Sequence, residues 1–345
     1  MKSSKQNKQK ILIIRNDRLG DFMLAWPALA LLRENLPNAH IAVLVPAYTQ
    51  PLAETCEYID EVIVDPKLKG ELKNGSALAK LLAPKKFDAV IALFSRFDTG
   101  LAVWKAGIPE RYAPATKLAQ IFYNHRVAQR RSRSEKPEYE YNQDLVQAFL
   151  AAQGVKKPKA VEPPYLSFKP ADAKKVKQKF LKKHKIPATK KLVFVHAGHG
   201  GSASNLSVLQ YAELIKFLSS SKQRHFVLTA GPGEEGHAHR LSRMLGKIPH
   251  AVHLSEDGLG DFAKHLQFAE VFISGSTGPL HLAAALGRPT AAFYPRRRSA
   301  TALRWQTVNP AKERLAFEPP AGSAESDMSR IDIRAAATAI AKHLL

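Results

Sequence analysis

Short apolar runs alternate along this chain with longer stretches whose apolar positions recur every three or four residues. In the first half, 11–14, 41–44, 61–64 and 88–93 read as strands, with helices between them at 22–35, 50–56, 76–82 and 99–106. A less regular stretch, 107–138, is rich in Arg, Tyr and Pro, and a helix over about 139–153 closes this half. Residues 156–170 carry four prolines and read as a linker. The alternation then restarts, predicting strands at 192–196, 226–229, 252–254, 271–274 and 290–293. Helices are expected at about 208–219, 235–245, 259–267, 279–286 and 333–344. Strand–helix–strand repetition predicts parallel sheets covered on both faces. The expected fold class is α/β, with two Rossmann-like domains at 1–160 and 161–330 and their strand C-terminal edges turned to a central cleft. The last helix, about 331–345, is free to pack back on the first domain.

Composition narrows the picture. A chain of 345 residues that is 45% hydrophobic can build two cores. Its one cysteine, Cys56, excludes an internal disulfide and reads as a small buried apolar residue. The basic start, Met1 to Lys10, precedes only four apolar residues, too few for a secretory signal, and no window has the length of a membrane span. A cytoplasmic protein is expected. The net charge of +22 collects in Lys156–Lys191, in Arg126, Arg130, Arg131 and Arg133, and in Arg296–Arg298. Much of the first group reads as the wet face of a helix whose apolar stripe is Val176, Phe180 and Leu181. Such charge attracts phosphorylated ligands or anionic membrane. No zinc spacing or RNA-binding strand motif points to specific nucleic-acid recognition.

Four strand-to-helix loops carry candidate chemistry. In Ile11 to Asp21, Gly20 is expected to permit a tight turn, and Asp21 stands where a helix begins. It is either an N-cap or a general base that removes a proton from an attacking hydroxyl. Asp17 reads as a turn residue. Ser274-Gly-Ser-Thr-Gly278 has the composition of a phosphate cradle, with Pro279 suited to the first helical turn and His281 a prospective donor. His196 to Asn205 is a third, glycine-rich loop offering Ser202 and Ser204, and Gly231 to Glu235 a fourth whose carboxylates suit ribose hydroxyls. A metal-ligand motif, a Gly-X-Ser-X-Gly elbow and a Gly-X-Gly-X-X-Gly dinucleotide fingerprint are all missing from the sequence.

Residues 11–28, with Arg-Asn-Asp-Arg-Leu-Gly-Asp-Phe-Met-Leu-Ala-Trp-Pro-Ala, resemble the N-terminal motif of the ADP-heptose:lipopolysaccharide heptosyltransferases, glycosyltransferase family 9. Residues 195–203 and 276–289 resemble the two donor-site loops of that family. The resemblance implies a GT-B fold and an inverting transfer that needs neither metal nor cofactor. It implies ADP-heptose or a related nucleotide sugar as donor, and lipopolysaccharide core or a similar phosphorylated glycolipid as acceptor. By position, Asp21 matches the catalytic carboxylate, and Thr277, Gly278 and His281 match the diphosphate-binding residues. Gly198 and His199 fall in the phosphate-contacting loop, and Ser202, Ser204, Glu234 and Ser276 complete the expected donor set. Arg15, Arg18, Arg126, Arg130 and Arg131 are the expected acceptor-binding residues, and a site on the inner face of the inner membrane is compatible with them. One departure stands out: where many members carry a lysine before a Trp-Pro pair, this chain has Ser204-Asn-Leu-Ser207. Either Arg296 or Arg297 substitutes, or the donor differs, or the protein is a nucleotide-binding scaffold in envelope glycan assembly.

Overall fold

The computed structural model describes residues 8–198 and 204–345. They form two compact units, one comprising the chain up to residue 131 together with 138–162, the other 132–137 and 163–345.

The first unit runs β1 (Lys10–Ile14), α1 (Leu19–Met23), α2 (Trp26–Asn35), β2 (His40–Pro46), α3 (Gln50–Ala53) and β3 (Glu61–Asp65). It continues through α4 (Glu71–Leu82), β4 (Ala89–Ala92), α5 (Phe97–Lys105), β5 (Glu110–Pro114), β6 (His125–Val127) and α6 (Glu138–Ala152). Its strands pair in parallel in the order β3-β2-β1-β4-β5-β6. The unbroken apolar run Ile11 to Ile14 takes the centre because every one of its side chains is buried. Leu12 and Ile14 share one core with Val90, Leu78 and Ala102, so α4 and α5 cover that face. The two helices approach closely at Gly75, where a methyl group would come 2.9 Å from the Asp98 carbonyl oxygen and 3.1 Å from Leu101 Cδ2.

The helix expected at 22–35 is two helices. Pro27 lies in the first turn of α2, where its missing N–H costs nothing, and marks the second start. The irregular stretch hides β5 and the three-residue edge strand β6. Both escape the sequence pattern because their charged and proline-bearing residues suit a sheet margin better than its middle.

The second unit repeats the arrangement with α7 (Pro170–Lys183), β7 (Lys191–His196), α8 (Val208–Leu218), β8 (Arg224–Ala230), α9 (Glu235–Leu245) and β9 (His250–Leu254). There follow α10 (Gly258–Leu266), β10 (Ala269–Gly275), α11 (Gly278–Ala285), β11 (Thr290–Phe293), β12 (Arg314–Phe317) and α12 (Ile333–His343). The parallel order is β12-β11-β10-β7-β8-β9. The margin strand β12 is absent from the apolar pattern. Helix α12, capped by Asp332, buries Ile333, Ala336, Ala337 and Ile340 in the core of this second unit, beside Leu214 and Ile215 of α8. The sequence left open a return to the first domain; the apolar stripe of α12 is instead used here. Helix α7 buries only Phe180 and Leu181, so its lysines are the solvated face expected. Cys56 is buried, which pushes its thiol up to about 12 and leaves it inert.

The second unit also holds a cluster of histidine rings. His184, His253 and His265 pack around Phe180 at centroid distances of 4.6, 5.1 and 4.9 Å. Burial, reinforced by the neighbouring His265 and His184, drives His253 down to about 3, and burial drives His225 down to about 4. Both are neutral in the folded protein, whereas unfolded histidine takes a proton near ~6.5. Their contribution to stability is therefore complete above about pH 6.5 and is lost as pH falls toward 4.

Two measurements follow. Thermal melts from neutral pH downward should show the midpoint falling below about pH 6.5, with a shallower decline in His253→Phe. Gly75→Val should cost about 1–3 kcal/mol in urea denaturation through overpacking of α4 on α5.

Candidate active site

Both sheets reverse their strand order next to the first strand of the unit, between β1 and β4 and between β7 and β10. In open α/β sheets the loops at the carboxyl ends of such strands are where ligands bind. The candidate residues can be followed from there.

In the first unit, β1 leads into a short loop and α1. Arg18 is the N-cap and Asp21 the third helical residue, so Asp21 is not the cap. Gly20 lies within α1 and is not among the glycines with positive φ, so the expected turn is made without it. The carboxylate of Asp21 instead accepts a 2.6 Å hydrogen bond from Arg15 Nη2. Arg15 is only 2% exposed. Its Nη1 donates to Glu138 Oε1 (3.3 Å), Asn142 Oδ1 (3.2 Å) and the Leu93 carbonyl (3.3 Å). Its Nε lies 3.1 Å from Asp17 Oδ1, an ion pair without hydrogen-bond alignment. Glu138 and Asn142, four residues apart on α6, share one helix face and meet the same guanidinium. Burial works against the Arg15 charge, but Asp17, Asp21 and Glu138 together outweigh it and hold its pKa above the usual value. The same crowding acts oppositely on Asp17: burial first, then the Asp21 charge, lift it to about 7 against the pull of Arg15.

This corrects the reading of two arginines. Arg15 is enclosed, and Arg131 donates to Glu138 (2.8 Å) and the Leu93 carbonyl (3.1 Å), so both belong to the support of Asp21. Arg18, Arg126 and Arg130 remain exposed. A second set of polar groups, buried except for Lys67, went unnoticed in the sequence. Asn16 donates to Asp65 at 2.5 Å, Asn74 donates to Asp98 at 2.9 Å, and Lys67 Nζ donates to the Asn16 carbonyl at 2.6 Å. The position of Asn16 and Asp65 at strand ends was the available signal.

In the second unit, α11 begins at Gly278 with Thr277 as N-cap. The Thr277 hydroxyl lies 2.9 Å from Ser274 Oγ and makes no capping bond, so the helix start keeps its positive end uncapped by that side chain. Ser276 lies next to it in the same turn. His281, one turn in, is 3% exposed, and burial lowers it to about 4. It is a neutral imidazole whose Nδ1 has no partner among the described residues. It can donate an N–H but brings no positive charge. At the N-cap of α9, in the loop after β8, the Glu234 carboxylate accepts from the Gly231 N–H at 3.2 Å, lies 3.3 Å from His196 Nε2 at the end of β7 and covers Gly198 so closely that any Cβ there would collide with it. Ser204 is partly exposed. His199 and Ser202 lie outside the described residues.

The residue that ties these loops together is Asn205, which sequence reasoning passed over. Its Nδ2 donates to the carbonyls of Ala197 (3.3 Å) and Gly198 (2.9 Å), and its Oδ1 accepts from the Tyr211 hydroxyl (2.6 Å). A methyl group at Gly275 would come 2.6 Å from that Oδ1. One amide thus ties Ala197 and Gly198, just after β7, to the end of β10. A cavity of about 400 Å³ opens beside it, lined by Asn205, Leu206, Gln210, His237 and Met328 among others. Arg296 and Arg297 are exposed just beyond β11, the neighbour of β10. Among the described residues no group of three or more His, Cys, Asp or Glu is arranged to hold a metal ion, and no helix is long and apolar enough to cross a membrane.

Residues 76–316 match the family model described as glycosyltransferase family 9 (heptosyltransferase). A Haemophilus influenzae protein carried under a provisional name as a glycosyltransferase is 47% identical over 323 residues, covering 93% of this chain and 92% of its own. A family 9 glycosyl transferase of Veillonella parvula superposes with a TM-score of 0.81 at 19% identity, covering 97% of both chains. The E. coli heptosyltransferase WaaC, solved with ADP, gives 0.73 at 21% identity, covering 97% of this chain and 100% of that one.

The crowded carboxylates make a pH-dependent prediction. A carboxylate raised to about 7 on folding adds stability that is complete below its unfolded pKa near ~3.9 and is lost as pH rises through 7. Asp17→Asn should raise the thermal midpoint at about pH 8.5 and change it little near about pH 5, where Asp17 already carries a proton.

Proposed function

The chain belongs to glycosyltransferase family 9, the heptosyltransferase family, and we propose that it moves a heptose or related sugar from a nucleoside diphosphate donor to a hydroxyl of a phosphorylated glycolipid. The observation that carries this reading is the state of Asp21, held through one oxygen by a buried arginine instead of spent as a helix cap. Its other oxygen has no hydrogen-bond partner among the described residues and takes the proton of the acceptor hydroxyl. That hydroxyl oxygen forms its bond to the anomeric carbon on the face opposite the diphosphate, whose own bond to that carbon breaks, so configuration inverts. Arg15 fixes the angle of the base, and Glu138 and Asn142 fix Arg15.

The diphosphate is received at the start of α11, by the Gly278 N–H, the helix dipole and the imidazole N–H of His281. Gly198 supplies backbone that no side chain obstructs, with Glu234 beside it. The segment Ser204-Asn-Leu-Ser207 brings no cation, and Arg296 or Arg297 answers the leaving charge in its place. ADP is favoured as the nucleotide because WaaC was solved with it. Arg18, Arg126 and Arg130 are the residues left to grip an anionic acceptor.

The missing lysine also favours a second reading, a relative that binds nucleotide without turnover. One experiment separates the two. ADP at a hundred times its dissociation constant should stabilise the protein by about 2.7 kcal/mol, and EDTA should leave turnover of ADP-heptose unchanged. Asp21→Asn should lower kcat about 10²–10⁴-fold while keeping the ADP stabilisation. Stabilisation by ADP with no turnover by the unaltered protein would assign it to the second reading.

A further inference from the structure

The outer layer of the first unit carries an apolar ridge that the transfer chemistry leaves unused. Trp104, near the end of α5, is 54% exposed. The 3₁₀ turn Leu118–Phe122 packs on α5, with the Phe122 ring 5.2 Å from Phe97 and 6.3 Å from Trp104 between centroids. Gly100 permits this approach, since a methyl group there would come 2.8 Å from Phe122 Cδ2. Residues three apart eclipse in a 3₁₀ helix. Leu118 and Ile121 therefore point outward together, 69% and 55% exposed, while Ala119 is buried beneath them.

The surroundings are strongly basic. From residue 67 to 126 the sequence has eleven Lys and Arg against four Asp and Glu. Three of the four acids are engaged: Asp98 is buried with Arg96 and Asn74, Glu110 pairs with His125, and Asp88 accepts the Lys10 backbone N–H. Of the cations, Lys67, Lys85 and Arg96 are paired as well, with Asp65, Glu61 and Asp98. Lys105 follows Trp104 directly, Lys117 precedes Leu118, and all three of Lys105, Lys117 and Arg126 are exposed.

We infer that this ridge seats the protein on an anionic lipid bilayer, with Trp104, Leu118 and Ile121 entering the interface and the neighbouring cations facing the headgroups. Indole and branched aliphatic side chains gain by leaving water at that depth, and each nearby cation adds attraction to an anionic leaflet. The side chains project outward, which suits a fluid surface. A second copy of a chain with net charge +22 would set two basic layers face to face. The inference stands apart from the transfer reading, because Trp104, Leu118 and Ile121, which the test changes, belong neither to the Asp21 network nor to the arginines assigned to the acceptor.

The test is co-sedimentation of the full chain with phosphatidylcholine vesicles, with and without an equal share of phosphatidylglycerol. Binding should require the anionic lipid and weaken at high salt. The triple variant Trp104→Ser/Leu118→Ser/Ile121→Ser should bind roughly tenfold or more weakly, with thermal midpoint and ADP stabilisation unchanged. Trp104→Phe, which keeps the ridge apolar, should retain binding while losing the fluorescence quenching by brominated lipid that the unaltered protein shows. Absence of binding by the unaltered protein, equal binding by the triple variant, or equal binding to neutral vesicles would overturn the inference. So would a sedimentation-velocity dimer, formed without vesicles, that the triple variant abolishes.

Discussion

A single buried guanidinium organises the first unit's functional edge. Arg15 meets Asp21, Asp17 and Glu138, with Asn142 and the Leu93 carbonyl completing its donors. An arginine this enclosed is tolerable only while Asp21 and Glu138, the carboxylates that hydrogen-bond it, stay in place. Removing either of them leaves an uncompensated charge, a loss of about 3–5 kcal/mol in comparable buried pairs. The mutual dependence makes the loop after β1, the end of β4 and the start of α6 one cooperative object. It also explains why Asp21 is aimed rather than mobile.

The second unit solves a different problem by different means. The phosphate binding proposed for it needs backbone N–H groups that side chains do not obstruct, and the small residues after β7 and β10 suit that need. Small residues alone hold no fixed shape, and Asn205 supplies the constraint, bonding the Ala197 and Gly198 carbonyls while lying against Gly275. The first unit is thus pre-organised by charge and the second by a neutral amide. This contrast matches the roles proposed for them: a carboxylate that accepts a proton, and a cradle that must stay open to an anion.

Both sheets share the order in which the first strand lies between the second and the fourth, so each places its candidate loops at the reversal point. Similarity to family 9 structures at about 20% identity over 97% of this chain shows how far the architecture tolerates change in sequence.

Much of this was legible in the chain itself. Central strands such as 11–14 and 271–274 are apolar on both faces, which only a covered parallel sheet explains, and the loops that follow announce themselves by Gly, Ser, Thr and a carboxylate. The margins were not legible: β6 and β12 are short edge strands and β5 lies next to an edge, each carries charge and β5 ends in a proline, and apolar periodicity is silent there. Nor could sequence tell whether Asp21 caps a helix or meets a cation, since both uses place an acid at a helix start. The answer lay with Glu138 and Asn142, more than a hundred positions away, which turn Arg15 inward and take it, with Arg131, out of the expected acceptor set. Local composition fixes what an element can be, through periodicity and turn chemistry. Which partner a buried charge finds is decided only when distant segments pack together, because burial makes an unpaired charge too costly to leave.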